Sequence, residues 1–168
     1  MKYLLQYTLP LMLLFTLAAG CSSNQNSTVK NMETIEYKEI SHLEKTSLGN
    51  NSAIINSVTA LTGGEIPHKI EISSDTLQIA YDLEKFNEEN EESASYWYDS
   101  NNQERNSSFN SAILFTLVEN ANLLEVTFKG ESTETHSFTR DELASTLNTS
   151  FETWDEEAFE EYKTAFSE

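Results

Sequence analysis

The period at which apolar residues recur changes along this chain, and each change marks an element. Sustained patterning begins near Leu43. Ala53, Ile54, Ile55, Val58 and Leu61 then follow a helical spacing. Asn50 or Asn51 can cap that helix, and Gly63-Gly64 ends it. From Lys69 the period falls to two. Ile70 and Ile72, then Leu77, Ile79, Tyr81 and Leu83, alternate with polar or small residues on either side of Ser73-Ser74-Asp75, so this stretch predicts a hairpin.

Residues 84–107 are polar and acidic, with Phe86 and the run Tyr96-Trp97-Tyr98 as their large apolar groups, and they read as a long excursion. Ser108 opens a second helix striped with Phe109, Ala112, Ile113, Leu117 and Ala121. A second hairpin follows through Leu124, Val126 and Phe128, a Gly130-Glu131-Ser132 turn and a return strand reaching Phe138. Thr139 with Glu142, and Thr153 with Glu156, have the spacing of capping boxes and predict two closing helices. Trp154, Ala158, Phe159, Tyr162 and Phe166 form the apolar stripe of the last.

This order predicts an α+β fold: an antiparallel sheet of about four strands with helices on one face, plus a short C-terminal amphipathic helix. Asn51-Ser52-Ala53-Ile54-Ile55 and Asn110-Ser111-Ala112-Ile113-Leu114 open the two main helices alike. A duplicated helix–hairpin unit would explain that likeness, and so would the shared preference of helix starts for asparagine and serine.

The N-terminus follows different rules. Lys2 precedes a nearly apolar run from Leu4 to Leu17, and Ala18, Ala19 and Gly20 are small, which together make a secretory signal over residues 1–20. Leu17-Ala18-Ala19-Gly20-Cys21 resembles the lipobox of bacterial lipoproteins. That resemblance implies cleavage between Gly20 and Cys21, a lipid on the Cys21 thiol, and a location on the outer face of the cell membrane. Two acyl chains give durable anchoring where one gives marginal binding. Residues 21–39, serine- and asparagine-rich at their start, read as a tether, and residues 40–168 as one domain.

Composition narrows the function. Cys21 is the one cysteine, so an acylated chain keeps no thiol for disulfides, thiolate metal sites or nucleophilic catalysis. The formal charge is −18, and removing the leader with its Lys2 makes it −19, which opposes contact with nucleic acid. His42, His68 and His136 lie at no ligand spacing, so no metal or cofactor is expected. No serine sits in Gly-x-Ser-x-Gly, and no glycine-rich run can cradle phosphate. Asp99, Asn101 and Gln103 begin like a calcium loop, but Glu104 replaces the needed glycine and Asn110 the closing glutamate. No catalytic residue is assigned.

The approach Leu43 to Gly49, the stretch Asn110 to Phe128 and Ser137-Phe138-Thr139-Arg140-Asp141-Glu142-Leu143 together resemble domain of unknown function 4825, an extracytoplasmic domain of low-GC Gram-positive lipoproteins. The resemblance implies location and fold and carries over no active-site residue. Two functions are left. One is a non-catalytic module that binds an envelope protein or small ligand, with Tyr96, Trp97 and Tyr98 as candidate contacts, because tyrosine and tryptophan anchor binding surfaces. The other is a cell-wall hydrolase using unassigned carboxylates.

Overall fold

The computed structural model describes residues 29–167. The expected tether ends sooner than residue 39. Met32 and Ile35 are buried, and the Met32 N–H donates to the Asn106 side chain at 2.9 Å. A one-turn helix α1 (Tyr37–Ile40) follows, with Ile40 fully inside.

Helix α2 (Asn51–Ala60) starts where Asn50 accepts the Ala53 N–H, and it buries Ile54, Ser57 and Val58. Beyond its end Gly63 takes φ +73°, a left-handed conformation that costs glycine little. A Cβ there would come within 3.2 Å of the Trp97 ring. Strands β1 (His68–Ser73) and β2 (Thr76–Asp82) form the first predicted hairpin. Ser73 faces Thr76, so the loop is the two residues Ser74 and Asp75, and Ser74 has φ +56° as such tight turns require.

The excursion is instead three helices: α3 (Leu83–Glu89), α4 (Glu91–Trp97) and α5 (Ser100–Leu117). Residues 84–107 contain neither glycine nor proline and are rich in glutamate, a good helix former. Leu83, Phe86, Ala94 and Trp97 are buried at helical spacings, which the high polar content hides. The second main helix therefore begins at Ser100, not Ser108. From Asn106 to Leu117 every residue of α5 is buried.

Several buried polar groups in α5 make hydrogen bonds, whereas Gln103 Oε1 and the Ser107 and Ser111 hydroxyls have no partner among the described residues. Asn110 accepts from the Thr62 N–H and hydroxyl and donates to the Thr62 carbonyl. The Thr116 and Tyr162 hydroxyls meet at 2.9 Å, joining α5 to the last helix.

Strands β3 (Leu123–Lys129) and β4 (Thr133–Thr139) make the second hairpin, around the predicted Gly130 turn. The sheet order is β1-β2-β3-β4. Both hairpins are antiparallel, but the central pair β2 and β3 is parallel, so the sheet is mixed and not wholly antiparallel. The cause is the helical connection 83–122, since adjacent parallel strands need a long crossover, usually through a helix. This order also departs from a simple repeat. A half-turn about the sheet normal would place β4 beside β2, whereas β3 lies there.

Leu77, Ile79, Tyr81, Leu124, Val126 and Phe128 alternate inward to form the buried face of the sheet, and α5 packs on β3 and β4. Helix α6 (Arg140–Leu147) begins at Thr139, whose hydroxyl accepts the Glu142 N–H as its spacing predicts. Helix α7 (Glu156–Ala165) differs from expectation. Its cap is Asp155, which accepts the Ala158 N–H at 2.9 Å, and not Thr153 with Glu156. Phe159 and Tyr162 anchor α7 in the core, while Trp154 precedes the helix and meets Tyr37 edge to face at 5.6 Å.

Candidate functional site

The three consecutive aromatics close helix α4, so their side chains fan around a helix end rather than alternating across a strand. Trp97 is 1% exposed and stacks on Phe128, which excludes it from a surface contact and corrects its assignment to a binding surface. Tyr98 is 38% exposed. Its ring lies over Gly130, where a Cβ would approach Cε1 to 2.7 Å, and its hydroxyl donates to the Leu83 carbonyl. Tyr96 is half-buried, its hydroxyl donating to Glu33 and accepting from Asn106.

Tyr96 thereby joins a junction that ties both ends of the described chain to α5. Arg105 forms an ion pair with Glu33 at 2.9 Å and donates through Nε to the Phe166 carbonyl. Lys163 donates to the Ile35 carbonyl at 2.9 Å. The pattern of partners is structural: these groups satisfy backbone carbonyls and one another.

Open clefts surround this core. One of them, about 620 Å³, lies between the end of α6 and α7. Leu147, Tyr162 and Ala165 supply apolar lining, and Glu157, Glu160 and Glu161 are exposed along one side. Water reaches all three carboxylates.

A second cleft, about 380 Å³, is lined by Val29, Lys30, Glu65 and Phe86 among others. Loss of water raises the proton affinity of Glu65, while hydrogen bonds from its own N–H and that of Lys30 oppose the rise. Tyr81 lies fully inside, stacked on Phe128 at 5.1 Å, and burial lifts its hydroxyl well above the usual tyrosine range, with Glu65 adding to the effect. Glu65 has no second carboxylate in its cleft, so a paired acid and base is not assembled there. Sequence reading missed Glu65, whose only signal was a lone acid after Gly63-Gly64.

The histidines stay apart in role. His42 is exposed beside α2, while His68 contacts the Ile66 carbonyl through Nδ1 and Tyr81 edge to face. His136 packs against Phe128, and its Nε2 is buried with no hydrogen-bond partner among the described residues. Among these residues no three His, Cys, Asp or Glu side chains are grouped to hold a metal ion. Asp99 to Gln103, the calcium-like run, opens α5 instead, with the Asp99 carboxylate accepting the Asn101 and Asn102 N–H groups. Gly20 and Cys21 lie outside the described residues.

A mixed four-stranded sheet with helices packed on one face defines an α+β domain. Residues 40–140 match the family model described as Domain of unknown function (DUF4825), and the chain belongs to that family. The match runs from Ile40 through all four strands to the first residue of α6. Residues 29–39 and helix α7 are packed onto this unit from outside its limits. No curated protein and no solved structure gives a significant match.

Proposed function

We propose that this protein is a lipoprotein anchored through Cys21 on the outer face of the cell membrane, where its domain binds an envelope partner without transforming it. The anchor rests on the leader and the lipobox-like Leu17 to Cys21. What supports binding is the cleft between α6 and α7. It combines apolar lining from Leu147, Tyr162 and Ala165 with exposed glutamates, the polar rim and apolar centre that contact surfaces use. Partners with exposed lysine or arginine suit it best, given the chain's negative charge.

A photoreactive amino acid placed at Glu157 or Thr164 in intact cells should yield a defined adduct that the same probe at Lys45, on the α2 side, does not. Equal adducts from both positions, or none, would defeat the reading. The three glutamates in one cleft also favour the hydrolase alternative. Wall digestion by the purified protein, lost on Glu160→Gln, would replace the binding account with it.

A further inference from the structure

Strand β1 is one edge of the sheet, and its pairing parity says which backbone groups it leaves free. The Asp82 N–H donates to the Pro67 carbonyl at 2.8 Å, so Pro67 and Asp82 form a hydrogen-bonded pair, one step beyond the His68–Tyr81 register. Such pairs alternate along an antiparallel ladder. Lys69, Glu71 and Ser73 therefore turn their backbone groups toward β2, and His68, Ile70 and Ile72 turn theirs outward. Among the described residues nothing pairs with that outer edge.

The side chains of the edge are complementary to themselves. Lys69 and Glu71 point to the open face of the sheet and are bonded to each other at 2.5 Å, both largely exposed. Ile70 and Ile72 point to the core face, where they are only partly buried and mark the rim of the core. We infer that β1 pairs antiparallel with β1 of a second copy about a two-fold axis through Ile70, extending the sheet across two chains. In this register Lys69 faces the second copy's Glu71 and Glu71 faces its Lys69. Both fall at non-hydrogen-bonded positions, where side chains come closest.

The outward N–H and C=O groups of His68, Ile70 and Ile72 then find partners, and Ile70 packs on its own mate. Moving the axis by one residue sets Lys69 against Lys69 or Glu71 against Glu71, so charge selects the register. A two-fold contact closes on itself and stops at a dimer. The opposite edge offers no such match, because β4 carries Glu134 as its one formally charged side chain. The pairing does not depend on the lipid anchor, and it concerns a different surface from the cleft between α6 and α7.

Sedimentation equilibrium of the full chain, extracted in mild detergent, tests this with four proteins: the native chain, Lys69→Glu, Glu71→Lys and the double exchange. The native chain should dimerise. Each single change sets like charges opposite each other twice and should weaken the dimer about tenfold or more, and the double exchange should restore it. Melting curves of the single variants should match the native monomer, since both side chains are exposed. A native chain that stays monomeric, or four proteins that sediment alike, would overturn the inference. Protection of the Ile70 amide from exchange at dilutions where the chain is monomeric would also overturn it, by showing that the chain covers its own edge.

Discussion

Trp97 lies flat on Phe128, their ring centroids 6.0 Å apart and their planes 19° from parallel. This contact fastens the end of α4 to β3 and so docks the crossover on the strand it leads to. Trp97 also fills the space over Gly63. Replacing it with alanine would leave a large cavity, with an expected loss of about 3–5 kcal/mol in urea unfolding. Trp97→Phe should cost far less, because among the described residues the buried indole N–H has no hydrogen-bond partner to lose. Similar costs for the two variants would contradict this packing.

Arg140 secures the other end of the crossover. Its guanidinium donates to the carbonyls of Ala121 and Val118 at 2.9 and 2.7 Å and sits over the ring of Phe115 at 5.1 Å. Arg140→Ala should destabilise the domain by about 2–3 kcal/mol, as expected for charged hydrogen bonds at a helix end. Arg140→Lys should recover only part, since an ammonium cannot reproduce the planar fork. Full recovery by lysine in chemical denaturation would refute the geometry.

The two C-terminal helix starts separate cap from spacing. Thr139→Ala and Asp155→Ala should each cost about 1 kcal/mol, because each side chain accepts a first-turn N–H. Thr153→Ala should stay within about 0.5 kcal/mol of the native protein, as it caps nothing. Thermal melts of the three variants rank them directly.

Glu65 makes stability depend on pH with a definite sign. Its proton affinity is raised in the folded protein from the ordinary value of 4.5, chiefly by loss of water. The folded state thus holds this proton more tightly than the unfolded chain, so the contribution is fully present below pH 4.5 and is lost as pH rises through the higher folded value. Glu65→Gln keeps an acceptor for the Lys30 N–H and removes the titration. Relative to that variant, the native protein should be most stable at acid pH and lose ground toward neutrality. A difference that grows with pH would show the opposite shift.

Much of this fold is legible in the chain, and the failures have physical reasons. The hairpins appear because each has one wet face, which imposes a strict period of two from Lys69 to Leu83 and from Leu124 to Phe138. The parallel central pair reads as antiparallel from the sequence, because each hairpin sets the direction of its own two strands but not which strand of one hairpin meets which strand of the other. Polar content hid helices α3 and α4 and the start of α5 before Ser108. Asn106 and Asn110 are buried with their hydrogen bonds made inside the protein, and Gln103 is buried with its amide N–H on the Trp97 carbonyl, so composition pointed to solvent where the structure has core. Trp97 was misread for the same reason, as an aromatic in polar company. Met32 and Ile35, three apart in the presumed tether, carried a helical-turn signal too short to stand out.

The clefts were beyond the sequence altogether. Glu157 and Glu161 share a face of α7 by their spacing, but Leu147 joins them only because the segment after α6 packs Phe151 against Tyr162 of α7. No local pattern encodes that meeting.

Membrane attachment through Cys21 underlies the proposed role, and the intact mass of the protein extracted from membranes tests it most directly. The account predicts a chain that begins at Cys21, lacks residues 1–20 and carries added lipid mass on its first residue. A chain that retains Met1 to Gly20, or one that begins at Cys21 without lipid and is recovered free of the membrane, would contradict it.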